Sequence, residues 1–258
     1  MTKFHLVSKL KTILALLLLS AKVWAHAGPP MVTDDPGTPG DGKWEINMAL
    51  TSASGGGESH FETPLLDLNY GWGEHVQLKY EVPWVISRDD QDSDSSQKTG
   101  FDRSTVGVKY RFYDNEETAL AVSTYPQFAF RTPVSGELRN RDTETNSEPF
   151  LPFEVEEGLG KFQLNQELGY RWEESDESRL VMGLSLSYNP TEATAFYAEI
   201  HQEMKVDGSA RETLWNLGLA QDLNPTLAFL FSFGQTLTRF EEGQSPQSLV
   251  YLAAQLHL

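Results

Sequence analysis

The sequence predicts an all-β chain, a transmembrane antiparallel up-and-down β-barrel of 12 strands with both termini periplasmic. Three observations predict it. Apolar and polar residues alternate with a period of two along one segment after another. No apolar run after the N-terminal region is long enough for a spanning helix, which needs roughly 20 residues. The connections alternate between short turns and longer loops, the asymmetry of bacterial outer-membrane barrels. A mean hydropathy of −0.41 does not oppose this, because a barrel shows lipid only every second residue.

The chain opens with a secretory signal. Lys3, Lys9 and Lys11 give a positive start, Ile13–Leu19 is an unbroken apolar run, and Val23-Trp24-Ala25 presents a cleavage site. Cleavage is expected after Ala25, with Ala27 as the alternative. The signal, residues 1–25, carries four lysines (3, 9, 11 and 22) and no acid. The formal charge of −17 therefore becomes −21 in the mature chain. Such a charge opposes nucleic-acid binding, which requires a basic surface. The chain has no cysteine, so disulfides, thiolate metal sites and cysteine nucleophiles are excluded. Residues 26–42 follow as a Pro/Gly-rich segment, either a periplasmic tail or a plug inside the barrel, and its composition favours the tail.

Twelve segments alternate: 43–52, 62–71, 75–85, 104–113, 118–132, 149–157, 161–173, 178–188, 194–204, 213–222, 226–238 and 248–258. In the seventh, Phe162, Leu164, Leu168, Tyr170 and Trp172 share one face, while Lys161, Gln163, Asn165, Glu167 and Arg171 share the other. Pro149 and Pro152 make the sixth the weakest, since proline donates nothing to a ladder. Short turns are read at 71–74, 114–117, 158–160, 189–193 and 222–225, and longer loops at 53–60, 86–103, 133–148, 174–177, 205–212 and 239–247. Trp44, Tyr70, Trp72, Tyr110, Phe112 and Tyr188 fall near the turn end, and Trp84, Trp172 and Trp215 near the loop end, as two interfacial belts require. A soluble β-sandwich shares the alternation but rarely the turn asymmetry.

The windows 53–60, 86–103, 133–149, 173–178, 205–212 and 240–247 hold 18 acids against 7 bases, so the predicted outer surface is acidic. Lipopolysaccharide and outer-membrane lipid are its expected neighbours, and the barrel-insertion machinery its partner during biogenesis. The run Asp89-Asp90-Gln91-Asp92-Ser93-Asp94 suggests calcium but lacks the glycine and distal glutamate of an EF-hand loop, and reads as a solvated loop. No metal or cofactor is called for.

Three stretches carry a family resemblance. They are Pro30-Met31-Val32-Thr33-Asp34-Asp35-Pro36-Gly37-Thr38 leading to Trp44-Glu45, Tyr70-Gly71 with Glu81-Val82-Pro83-Trp84, and Val106–Phe112 with Leu168-Gly169-Tyr170. Together they resemble the outer-membrane family named for the MetA pathway of phenol degradation, often labelled transporters. The resemblance implies a barrel in the outer membrane and, more loosely, uptake of aromatic compounds. One departure stands out: the chain ends Gln255-Leu256-His257-Leu258, without the terminal aromatic residue usual in such barrels.

If even positions face lipid, the lumen receives Glu45, Asp67, Lys79, Glu81, Lys109, Arg111, Arg131, Lys161, Glu167, Arg171, Glu199, His201 and Glu203. These residues suit a polar channel for a small solute, and equally a closed interior of paired charges. Two functional readings follow first: a channel for small solutes, hydrophobic or aromatic ones among them, and a closed structural or surface-binding barrel acting through its acidic loops. An outer-membrane hydrolase is third. It is disfavoured because neither a Gly-x-Ser-x-Gly nor a His-Glu-x-x-His motif occurs. His201 between Glu199 and Glu203 resembles a ligand trio, but one strand supplies no converging geometry.

Overall fold

The computed structural model describes residues 30–89, 96–132, 147–173, 177–240 and 245–258. The signal segment with both candidate cleavage points, and the acidic residues 90–94, lie outside the described residues. The strands are β1 (Trp44–Gly55), β2 (Glu58–Trp72), β3 (Val76–Asp89), β4 (Ser96–Phe101), β5 (Arg103–Asn115), β6 (Leu120–Thr124), β7 (Gln127–Arg131), β8 (Glu148–Leu159), β9 (Phe162–Arg171), β10 (Arg179–Thr191), β11 (Thr194–Lys205), β12 (Arg211–Asn224), β13 (Leu227–Thr238) and β14 (Ser248–His257).

Fourteen pieces make twelve barrel positions. β3 pairs with β5 over Val76–Glu81 and with β4 over Trp84–Asp89, so β4 and β5 are one strand interrupted at Asp102. β6 and β7 likewise continue one another across Tyr125-Pro126, where proline has no N–H to give the ladder. Every neighbour is antiparallel, and β1 closes the barrel on β14 from Glu45↔His257 to Ser54↔Ser248. The last residue takes part in the seam: Trp44 N–H donates to Leu258 C=O and Leu258 N–H to Trp44 C=O, both at 2.9 Å. Among the described residues closure leaves no open edge, the condition for carrying strands through lipid.

Outward-facing residues are apolar and exposed. Met48, Leu78, Val108, Phe153, Leu168, Leu184, Phe196, Leu217, Phe231 and Leu252 represent ten of the strands. Aromatic pairs edge this band. Trp44–Tyr70 at 4.9 Å and Phe162–Tyr188 at 5.0 Å sit at the turn end, and Trp84–Phe101 at 4.9 Å and Tyr170–Trp172 at 4.7 Å at the loop end. Inward-facing residues are polar over most of the wall, with a patch of small apolar side chains (Ala49, Ala195, Ala220, Ala228, Ala253) around Leu230.

Three expectations are corrected. The stretch 53–60 is not a long loop: β1 and β2 run on to a tight turn at Gly56 and Gly57, whose φ values of 64° and 87° suit the mirror-image turns favoured in hairpins. The even face does not point to lipid throughout. In β8, β12 and β13 the even positions Glu154, Asn216 and Ser232 are buried while Phe153, Leu217 and Phe231 are exposed, because each connection's length resets the phase. The segment preceding β1 does not trail away from the barrel, because Pro30, Met31, Thr33, Asp35, Pro36 and Gly37 are all buried within it. Pro149 and Pro152 are absorbed without loss of their strand, which spans the 12 residues of β8.

Candidate functional site: the barrel interior and its inserted segment

The interior is organised around residues 30–40. From β1 the chain folds back at the turn end, where Gly42 N–H donates to Gly71 C=O at 3.0 Å and Thr38 Oγ1 donates to the Glu74 carbonyl at 3.0 Å. An added Cβ on Gly71 would overlap the Gly40 carbonyl, so glycine is required for this close approach. Further in, the segment lies along β9, β10 and β11.

An extended segment brings backbone N–H groups that must find acceptors once buried. Glu199 of β11 supplies two: Val32 N–H donates to its Oε2 at 3.1 Å, and Thr33 N–H to its Oε1. Glu167 of β9 accepts from Asp34 N–H at 3.3 Å. From the opposite wall, Lys109 of β5 donates to Asp34 Oδ1 at 2.8 Å and to the Asp35 carbonyl. Lys109 is wholly buried and also lies 4.0 Å from Glu154 of β8 and 4.7 Å from the Tyr125 ring. A buried ammonium is tolerable only with such a shell of acceptors and anions. Two glycines make the wall concave: a Cβ on Gly183 would strike Thr33, and one on Gly218 would strike Met31 and Pro30.

A second group lies on β1–β3. Lys79 sits 2.8 Å from Glu81 and 3.5 Å from Asp67, and Asn47 donates to Asp67 at 3.2 Å with Glu45 at 3.5 Å. A third group rims the loop end. Arg179 contacts Glu173 and Glu203, each at 3.0 Å, and Arg171 contacts Glu203 at 3.4 Å. Each guanidinium also lies over a ring, Arg171 on Phe150 at 4.5 Å and Arg179 on Phe240 at 4.3 Å.

The residues singled out from sequence thus divide among different places. Lys109, Glu167 and Glu199 meet at the segment, Lys79 and Glu81 pair with Asp67, and Arg171 belongs to the loop-end rim. His201 lies 3.9 Å from Glu167, across the sheet, while Glu199 and Glu203 turn to the segment and the arginines, so the three do not converge. Among the described residues no group of three or more His, Asp or Glu has metal-holding geometry. Arg111 is at the turn end, donating to the Glu74 carbonyl at 2.8 Å and lying 3.3 Å from Asp114. Arg131 ends β7 and Lys161 lies in the turn between β8 and β9, apart from the other groups; both are exposed, Lys161 reaching the Pro190 carbonyl at 2.9 Å. Glu154 and Asn216 went unrecognised because they fall on even positions. The odd apolar set Leu151, Phe153, Val155 would have revealed the change of phase.

A closed antiparallel barrel with an aromatic-edged apolar exterior and a charged interior defines an outer-membrane β-barrel protein, and the outer membrane is its location. Similar solved structures share the architecture. An outer membrane channel from Pseudomonas putida F1 has a TM-score of 0.68 at 14% identity, covering 87% of this chain and 98% of that one. The KdgM porin, in complex with disordered oligogalacturonate, has 0.57 at 10% identity, covering 82% and 98%. The NanC porin has 0.57 at 10% identity, covering 83% and 100%. No curated protein sequence matches significantly. The family model described as "Putative MetA-pathway of phenol degradation" matches residues 30–246, and the chain belongs to that family.

Proposed function

We propose that the protein is an outer-membrane channel through which small solutes diffuse, its bore narrowed by its own residues 30–40. The observation carrying this reading is the interior itself. A charged and hydrogen-bonding wall encloses a separate stretch of chain rather than a packed apolar core. The lining residues are then Lys79, Glu81, Lys109, Glu167, Glu199 and His201, with Arg171 at the outer mouth and Arg111 at the inner one. The family's description points to small aromatic compounds as the solute class. No catalytic role is assigned to any of these groups.

Liposome swelling with purified protein tests the reading. Entry of phenol-sized neutral solutes and exclusion of disaccharides is the expected result; no entry of any solute, even after deletion of Pro30–Pro39, would refute it. That second outcome favours a closed structural barrel, the reading supported by the complete burial of Lys109 beneath the segment.

A further inference from the structure

The contacts that hold residues 32–35 have the chemistry of a ligand site. Two carboxylates, Glu199 and Glu167, accept from three successive N–H donors, and one ammonium, Lys109, donates to a carboxylate and a carbonyl. We infer that this seat binds zwitterionic solutes of the amino acid and short-peptide class, and that the Val32–Asp35 stretch occupies it as a built-in mimic. The inference goes beyond the channel reading by adding a second solute class with a seat of its own, and rests on that reading only for how the solute arrives.

Charge decides the class. Glu199, Glu167 and Glu154 outnumber Lys109 in the seat, and the segment adds Asp34 and Asp35, so acidic side chains exceed basic ones in the occupied site. Neutral amide N–H groups compensate two carboxylates poorly. A free α-ammonium compensates them better, since charge-assisted hydrogen bonds are roughly twice as strong as neutral ones. The carboxylate at the other end of the same molecule satisfies Lys109. A dicarboxylate meets like charge on one side, and phenol leaves both walls unanswered. Glu154 also keeps a buried carboxylate oxygen, Oε1, without a hydrogen-bond partner beside Lys109. The seat is shaped as well as charged, because Gly183 and Gly218 leave room for Thr33 and Met31.

The test uses the otherwise full-length protein lacking Pro30–Pro39, in detergent, and a fluorescently labelled Met-Val-Thr-Asp-Asp-Pro peptide read by polarisation. Binding is independent of conductance, so failure of this inference and failure of the channel reading are separable. Saturable binding is expected, weakened at least tenfold by the isosteric Glu199→Gln and by Lys109→Met. Heat-modifiable mobility confirms that each variant is folded. The dipeptide Thr-Asp should compete, whereas succinate and phenol should not at the same concentration. Absence of saturable binding, binding indifferent to Glu199→Gln, or competition by phenol equal to that of Thr-Asp would each overturn the inference.

Discussion

Lys109 shows how one buried charge fixes a structure. Its ammonium is surrounded by Asp34, the Asp35 carbonyl, Glu154 and Tyr125, and every one of these contacts loses its partner if the lysine is removed. Breaking a buried ion pair on one side costs about 3–5 kcal/mol, because the remaining charges stay desolvated. Lys109→Met should therefore lower the midpoint of thermal unfolding, followed by heat-modifiable electrophoretic mobility, and also loosen the segment. Gly183→Ala should separate the two effects. A methyl group there collides with Thr33, yet a strand interior gains about 0.5–1 kcal/mol when glycine becomes alanine. The barrel should remain as stable as the parent while the segment becomes accessible to protease from the turn end. Unchanged protease resistance would show that the segment does not depend on this approach.

Single elements obey rules that the sequence states openly, except where a turn changes the phase. The β1–β2 hairpin turns on Gly56 and Gly57, both with positive φ, where a β-branched residue is strained. Gly57→Val should cost about 1–2 kcal/mol, the usual penalty for a left-handed conformation, measurable as a lower unfolding midpoint in urea. Alternation made eleven of the twelve barrel positions plain, and β8 emerged through its two prolines because Pro149 and Pro152 leave enough of its ladder intact: ten registered pairs with β9 persist from Phe150 to Leu159. Parity was the weaker guide. Counting even numbers across turns of different length puts Glu154 and Asn216 on the lipid side, although their apolar neighbours Phe153 and Leu217 mark the true outer face.

At the scale of the whole molecule, the barrel was legible and its filling was not. Period-two alternation and connection lengths are local signals, and closure between β1 and β14 follows once an even set of antiparallel strands must leave no edge in lipid. The inserted segment has no such signal. Its prolines and glycines suit a loose tail equally well, and its hydrogen-bond partners Glu167 and Glu199 lie more than 130 positions away. Only the fold brings them together. Deletion of Pro30–Pro39 should accordingly raise single-channel conductance severalfold without altering heat-modifiable mobility.

The cysteine-free chain offers the most direct test of the central claim, that residues 30–40 lie inside the barrel. A Cβ at position 183 stands 2.9 Å from the Thr33 Cβ, and a shift of about 1 Å reaches disulfide geometry. In outer membranes isolated from cells producing the Thr33→Cys/Gly183→Cys variant, mild oxidation should form an intramolecular cross-link that alters the mobility of the denatured chain and is reversed by reductant. The registered pair Ser54→Cys/Ser59→Cys across the β1–β2 hairpin serves as the positive control. Cross-linking of the control without any cross-link between positions 33 and 183 would contradict an inserted segment.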